Sequence, residues 1–195
     1  MEFIAHRVNT IEELKQIPKK YGVELDLRDN GNRLILAHDP FVDGEDFEKY
    51  LKHYKHGTMI LNIKSERIEH KVLELINKYK IKKYFFLDSS FPMIYLLSKN
   101  GEKNIALRFS EFEAIDTSLN MAGKVKWIWI DCFSKLPITQ ENYKILKSKG
   151  FKFCLVSPEL QGQNEKLKEY KTYLEDEKII LDAICTKVYN IELWR

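Results

Sequence analysis

Short apolar segments alternate with longer amphipathic segments along the whole chain, and this alternation predicts its elements. The strand-like segments are rich in β-branched or aromatic residues and lie at residues 3–6, 22–27, 58–63, 83–87, 105–109, 125–131, 151–156 and 183–186. Most of them are apolar almost throughout, as is typical of parallel strands that are buried on both faces. The pattern therefore predicts an α/β fold with buried parallel strands.

Helix signals occupy the stretches between these strands. Thr10 followed by Glu13 is a capping-box signature at the start of the first helix. Residues 68–79 have their apolar side chains on one helical face, and Gly101 and Gly150 follow amphipathic stretches, where a helix is expected to end.

Further turn signals lie early in the chain. The Asp-Asn-Gly-Asn sequence at 29–32 predicts a turn, followed by a short extra strand at 33–37. A helix is expected to begin at Glu45.

Strand–helix repeats throughout 195 residues predict a single compact domain over residues 1–195, a (β/α)8 TIM barrel with short loops. An open doubly wound sheet is the alternative. No glycine-rich phosphate loop follows the first strand, and this disfavours the nucleotide-binding form of that sheet.

Composition narrows the class of protein. The net charge of +3 comes from dispersed Lys and Arg residues, which gives no argument for nucleic acid as a partner. No apolar run approaches the length of a membrane span, and with a strand predicted at the start of the sequence no signal peptide is expected. Three cysteines, Cys132, Cys154 and Cys185, lie in separate apolar segments, which predicts reduced core thiols and a cytoplasmic protein. The pattern does not indicate an oligomeric state.

Polar side chains gather where the first predicted strands end. Glu24 and Asp26 alternate along the second strand, so their side chains point to the same face. Two carboxylates in an apolar interior are costly unless a positive group joins them. Arg7, Lys64 or a divalent cation would supply that charge.

The residue types at these strand ends suit phosphodiester cleavage. Carboxylate and amide oxygens are ligands for Mg²⁺ or Ca²⁺, guanidinium and ammonium groups neutralise a phosphate, and imidazoles exchange protons near neutral pH. The candidates are Glu24, Asp26 and Asn62 for the metal, Arg7 and Lys64 for phosphate, and His6 and His38 for acid–base catalysis.

The same positions resemble the glycerophosphodiester phosphodiesterases of the PI-PLC-like phosphodiesterase superfamily. The family pattern is His-Arg, then Glu-x-Asp, then His-Asp, then Glu-x-Lys. The matching residues in this sequence are His6-Arg7, Glu24-Leu25-Asp26, His38-Asp39 and Asn62-Ile63-Lys64. The resemblance covers residues 3–65 and implies a barrel enzyme that uses a divalent cation, Mg²⁺ or Ca²⁺. It also implies that one histidine deprotonates a hydroxyl beside the phosphodiester while the other protonates the leaving oxygen.

The sequence departs from the family pattern in ways that bear on function. Asn62 stands in place of the third acidic metal ligand, which motivates a second hypothesis of a non-catalytic barrel that binds a phosphorylated ligand. The expected substrate is a small or a polymer-linked phosphodiester. The insertion that usually follows the second histidine is missing, which predicts an open site that would admit a polymer.

Residues further along the chain are weaker candidates. Arg108, Glu111 and Asp131 follow the fifth and sixth strands, where they would contact substrate or be ordinary loop and capping residues. Asp88 and Ser89, after the fourth strand, are interpreted as caps of the next helix.

Overall fold

The computed structural model describes all 195 residues, which form two compact units. We call Ile4–Leu96 the amino-terminal unit, and Met1–Phe3 together with Leu97–Arg195 the carboxy-terminal unit. The first ten elements, in chain order, are β1 (Glu2–Ala5), α1 (Ile11–Gln16), β2 (Gly22–Asn30), β3 (Arg33–Leu36), β4 (Glu45–Asp46), α2 (Phe47–His53), β5 (Met59–Ile63), α3 (Glu69–Lys78), β6 (Tyr84–Leu87) and α4 (Phe91–Lys99). The remaining elements are β7 (Ala106–Phe109), α5 (Ile115–Asn120), β8 (Trp127–Ile130), α6 (Gln140–Ser148), β9 (Lys152–Val156), α7 (Leu167–Asp176), β10 (Ala183–Thr186) and α8 (Ile191–Trp194).

Strand β2 is the centre of the amino-terminal unit. It pairs in parallel with β1 and with β5, and β5 pairs in parallel with β6. Its last residues pair with β3 in an antiparallel hairpin, and β3 pairs with β4. Residues of β5 are all buried, as expected for a strand that is covered on both faces.

The carboxy-terminal unit contains four parallel strands. Strands β7, β8, β9 and β10 pair in parallel in that order, and each is followed by a helix or a helical turn. Before β10, the Asp182 carbonyl accepts a hydrogen bond from the backbone N–H of Glu2, at 2.8 Å. Phe151 and Phe153 are among its fully buried side chains, and the rings of Phe153 and Tyr143 lie 5.1 Å apart.

All eight predicted main strands and the extra strand at 33–37 are confirmed. The predicted closed barrel is not observed. β6 pairs with β5 alone and β7 with β8 alone. Each is therefore an edge strand, whereas a closed barrel has no edges. Apolar composition predicts that a segment is a buried strand, but it does not encode which strands pair along their edges. The fold that is established is a mixed α/β fold with parallel strands.

Several local signals were accurate. Thr10 caps α1 in a capping box with Glu13, and Gly101 and Gly150 follow α4 and α6 with φ values of 92° and 85°. The expectation of a helix from Glu45 was wrong. Glu45 lies in β4, and the helix begins at Phe47 because the Asp46 side chain accepts the N–H of Lys49 and caps it.

Candidate active site in the amino-terminal unit

The carboxyl ends of β1, β2 and β5 bring most of the predicted residues together. Asp26 is the register partner of Asn62, because β2 and β5 pair in parallel. His6 and Arg7 follow β1, and Lys64 follows β5. The prediction that these side chains meet at one edge of a sheet is confirmed for six residues: His6, Arg7, Glu24, Asp26, Asn62 and Lys64.

Glu24 is 1% exposed and has three polar neighbours. Its Oε2 accepts a 2.7 Å hydrogen bond from the backbone N–H of Arg7 and lies 3.8 Å from Nε2 of His6. Its Oε1 accepts a 2.8 Å hydrogen bond from the side-chain amide of Asn62. This carboxyl is therefore held by neutral donors and by one imidazole.

Asp26 is equally buried, and cations surround it. Its Oδ2 lies 3.6 Å from Nε of Arg7, and its Oδ1 lies 3.6 Å from Nζ of Lys64. Asn9 makes two hydrogen bonds with Asp26. Its Nδ2 donates to Asp26 Oδ2 at 2.9 Å, and its Oδ1 accepts the Asp26 backbone N–H at 2.8 Å. The two predicted phosphate-binding cations thus neutralise Asp26.

The buried Glu24 carboxyl is difficult to ionise. Burial, and next the negative charge of Asp26, raise the pKa of Glu24 from 4.5 to about 7, against the hydrogen bond from Asn62 that lowers it. The site therefore holds a carboxyl group that keeps its proton to a higher pH than an ordinary glutamate. A positive group arriving beside Glu24 would favour its ionised form.

The backbone at Arg7 is in the left-handed region, with φ of 53°. This conformation is uncommon for a residue with a side chain. It aims the Arg7 N–H at Glu24 while the guanidinium of the same residue contacts Asp26. One residue thereby serves both carboxylates, and the strain is of the kind that collects at functional sites.

The structure links His38 to the other predicted residues only through its backbone carbonyl. Its Nδ1 lies 2.7 Å from Oδ1 of Asp39, and it makes no hydrogen bond or ion pair with the two buried carboxylates. Arg28 holds its loop in place, because Arg28 donates two hydrogen bonds to the His38 carbonyl and one to the Lys64 carbonyl. The hydrogen bond from His38 also lowers the pKa of Asp39.

Sequence reasoning missed the roles of three residues of this site. The sequence marks Asp88 only as a helix cap and assigns no contact to Asn9 or Arg28. In the structure Arg28 contacts carbonyls, and the Asp88 carboxylate lies 3.4 Å from Nζ of Lys64. The one local signal is at Arg28, which continues the two-residue alternation of Glu24 and Asp26 along β2. The contacts of Asn9 and Asp88 depend on tertiary structure.

The weaker candidates lie in the carboxy-terminal unit, at the ends of its own strands. Arg108 forms an ion pair with Asp131, which is buried and also accepts a hydrogen bond from Gln161 at 2.6 Å. Glu111 accepts hydrogen bonds from the backbone and hydroxyl of Ser134. Their role in substrate binding stays a prediction.

The buried oxygens of the site are compatible with a hard cation. Asp26 Oδ1 and Asn62 Oδ1 are buried and have no hydrogen-bond donor, and such oxygens are what Mg²⁺ and Ca²⁺ coordinate. The candidate cation ligands are Glu24, Asp26 and Asn62, so that one amide stands in place of a third carboxylate. No group of three or more histidine, cysteine, aspartate or glutamate side chains in the chain is arranged to hold a metal ion.

The architecture and this site define an α/β protein with an acidic and basic cluster at the carboxyl ends of its parallel strands. Solved structures with the same fold are glycerophosphodiester phosphodiesterases. Two are from Agrobacterium tumefaciens strain C58, one of them assigned to this activity only provisionally. The provisionally assigned protein matches with a TM-score of 0.68 and 11% sequence identity, and the match covers 100% of this chain and 97% of that protein's chain. The second has a TM-score of 0.68 at 16% identity, over 95% and 96%.

A third is a glycerophosphoryl diester phosphodiesterase from Parabacteroides distasonis, with a TM-score of 0.64 at 13% identity over 94% of this chain and 81% of the other. At these identities the likeness is one of fold. No family model matches the sequence, and no curated protein matches it either. No helix of the chain is both long and apolar enough to cross a membrane.

Proposed function

We propose that the protein is a phosphodiesterase that cleaves a glycerophosphodiester-type bond with the help of Mg²⁺ or Ca²⁺. The observation that carries this proposal is the buried pair Glu24 and Asp26 with Arg7 and Lys64 within 3.6 Å of Asp26. Buried charges are retained only when they are paired, and this arrangement combines metal-type ligands with phosphate-type cations. The fold shared with glycerophosphodiester phosphodiesterases supports the same activity.

Arg7 and Lys64 are the proposed phosphate ligands. The side chain of Arg7 is 43% exposed and so is accessible to a substrate, while the side chain of Lys64 is 18% exposed. Both now contact Asp26, and a phosphate would become a second anionic partner for each. The guanidinium also offers two parallel donors to phosphate oxygens.

His6 and His38 are the proposed acid–base pair. One imidazole takes the proton from a hydroxyl adjacent to the phosphodiester, the hydroxyl oxygen bonds to phosphorus, and the other imidazole gives its proton to the leaving alkoxide oxygen. Glu24 lies beside His6 and Asp39 beside His38, so each imidazolium has a carboxyl partner. The pair can exchange roles when water opens a cyclic phosphate.

Glu24, Asp26 and Asn62 would hold the cation. When bound, it would favour deprotonation of the attacking hydroxyl and offset charge on the phosphoryl oxygens. The chain itself orients these ligands, through Arg7 and Asn62 on Glu24 and through Asn9 on Asp26.

Turnover of a panel of glycerophosphodiesters, including polymeric glycerol phosphate, with Mg²⁺, Ca²⁺ or EDTA tests the proposal. We expect product release with a cation, loss of activity in EDTA, and a fall of at least about 100-fold in His38→Ala. His53→Ala, in helix α2, is the matched control and should keep full activity. Equal activity of the two histidine variants would exclude the mechanism.

A non-catalytic phosphate-binding protein is the second candidate, and the Asn62 amide favours it. That amide donates to Glu24 where the family pattern has a carboxylate. A binding protein would gain thermal stability with glycerol phosphate but release no product under any cation.

The compartment is part of the proposal. All three cysteines are buried and none forms a disulfide, which agrees with a protein of the reducing cytoplasm.

A further inference from the structure

We propose that Asp88 is a positioning residue that fixes the ammonium group of Lys64 in the active site. The inference rests on the proposed function only in that Lys64 is taken as a phosphate ligand. Asp88 lies outside the four motifs that carry the family resemblance.

The contacts place Lys64 between two carboxylates. Its Nζ lies 3.4 Å from Oδ2 of Asp88 and 3.6 Å from Oδ1 of Asp26. The side chains of Lys64 and Asp88 are 18% and 20% exposed, so the pair is only partly screened by water. Without the Asp88 carboxylate, the Lys64 ammonium would keep only Asp26 of these two carboxylates and would move closer to Asp26.

The pairing follows from strand register. Asn62 on β5 faces Leu87 on β6, so the residues that follow, Lys64 and Asp88, emerge at the same edge of the sheet. Asn62 is neutral at the position where the family pattern has a carboxylate. Asp88 therefore supplies, from the neighbouring strand, a negative charge that β5 itself lacks.

The backbone at Asp88 has an uncommon conformation. Its φ is 60°, in the left-handed region that asparagine, aspartate and glycine tolerate best. This gives two informative variants that preserve the backbone: Asp88→Asn keeps the shape and removes the charge, and Asp88→Gly removes the side chain without backbone strain.

The first test reads the position of Lys64 without any turnover. Lysine ammonium protons give a separate NMR signal when ion pairs slow their exchange, and Lys64→Met identifies the one from Lys64. We expect this signal in the unmodified protein and its loss or displacement in Asp88→Asn and Asp88→Gly. Asp29→Asn, an exposed site in the same unit, is the matched charge control and should leave it in place. A Lys64 signal that is unchanged without the Asp88 carboxylate would overturn the inference.

The second test separates positioning from a structural role. Asp88→Asn should lower kcat by roughly tenfold with little change in KM, since misplacing one charged group affects the transition state most. In the Lys64→Met background the same substitution should cost nothing further. An equal loss in both backgrounds would contradict a role through Lys64. If the unmodified protein turns over no substrate, the proposed phosphodiesterase fails, and the ammonium signal alone decides the role of Asp88.

Discussion

At the scale of single residues, Glu24 makes stability depend on pH. Its pKa is raised to about 7 in the folded protein from the ordinary 4.5, chiefly by burial. Between these two values the folded chain keeps a proton that the unfolded chain has released, so the contribution of Glu24 to the free energy of unfolding is fully present below pH 4.5 and falls as pH rises towards 7. With about 1.4 kcal/mol for each pKa unit, the loss amounts to about 3 kcal/mol.

Urea denaturation of the protein in EDTA across pH 4.5 to 8 measures this effect, with Glu24→Gln as the reference variant. Glutamine keeps the shape of the side chain and one of its two acceptor oxygens but cannot ionise. The stability of the variant relative to the unmodified protein should therefore rise as pH increases towards 7. Parallel stability curves for the two proteins would show that Glu24 does not titrate in this range.

Asn62→Glu tests the neutral position of the metal set. The change removes the donor to Glu24 and adds a third buried carboxyl, so without cations we expect a loss of about 1–3 kcal/mol of stability. With Mg²⁺ or Ca²⁺ present, the melting temperature should rise more than in the unmodified protein, because cation affinity increases with ligand charge.

Asn62→Ala is the control for this variant, since it removes the same donor and adds no charge. It should lose stability without any gain in the response to cations. An equal response of the two variants to Ca²⁺ would argue against a cation bound at residue 62.

At the scale of elements, β2 depends on a close approach at its first residue. A Cβ at Gly22 would lie 2.4 Å from the carbonyl oxygen of Thr58, which is backbone and cannot rotate away. Gly22→Ala should therefore displace β5 from β2 and cost about 3 kcal/mol of stability. The displacement would also separate Asp26 from Asn62 and lower any phosphodiesterase activity.

Gly31→Ala is a useful comparison for this variant. Gly31 has open space around it but a φ of 60°, so alanine there meets strain and no clash. We expect about 1 kcal/mol of destabilisation and unchanged activity. A larger loss at Gly31 than at Gly22, in urea denaturation, would mean that the close contact is not what limits β2.

At the scale of the whole molecule, the prediction of a single domain is still to be tested. The chain divides into two compact units, and β1 contributes residues to both. One domain should unfold in one transition, with the same midpoint for the tryptophan signal, which comes from Trp127, Trp129 and Trp194, and for far-ultraviolet circular dichroism. Two midpoints would show that each unit unfolds by itself.

The sequence alone determined the elements and most of the site. Apolar runs marked every main strand, and the alternation of Glu24 and Asp26 was enough to assign both carboxylates to one face of β2. These features are local, because the strand period of two and the capping of a helix depend on neighbours along the chain. The resemblance to a phosphodiesterase family rested on the same short motifs.

Only the tertiary structure decided what these residues contact. The Asn62 amide on Glu24, Arg28 on two loop carbonyls and Asp88 on Lys64 join residues 10 to 38 positions apart in sequence. The same holds for the edges of β6 and β7, because backbone pairing is set by the path of the chain and not by side-chain type. The raised pKa of Glu24 likewise arises from burial, which no single segment of the sequence specifies.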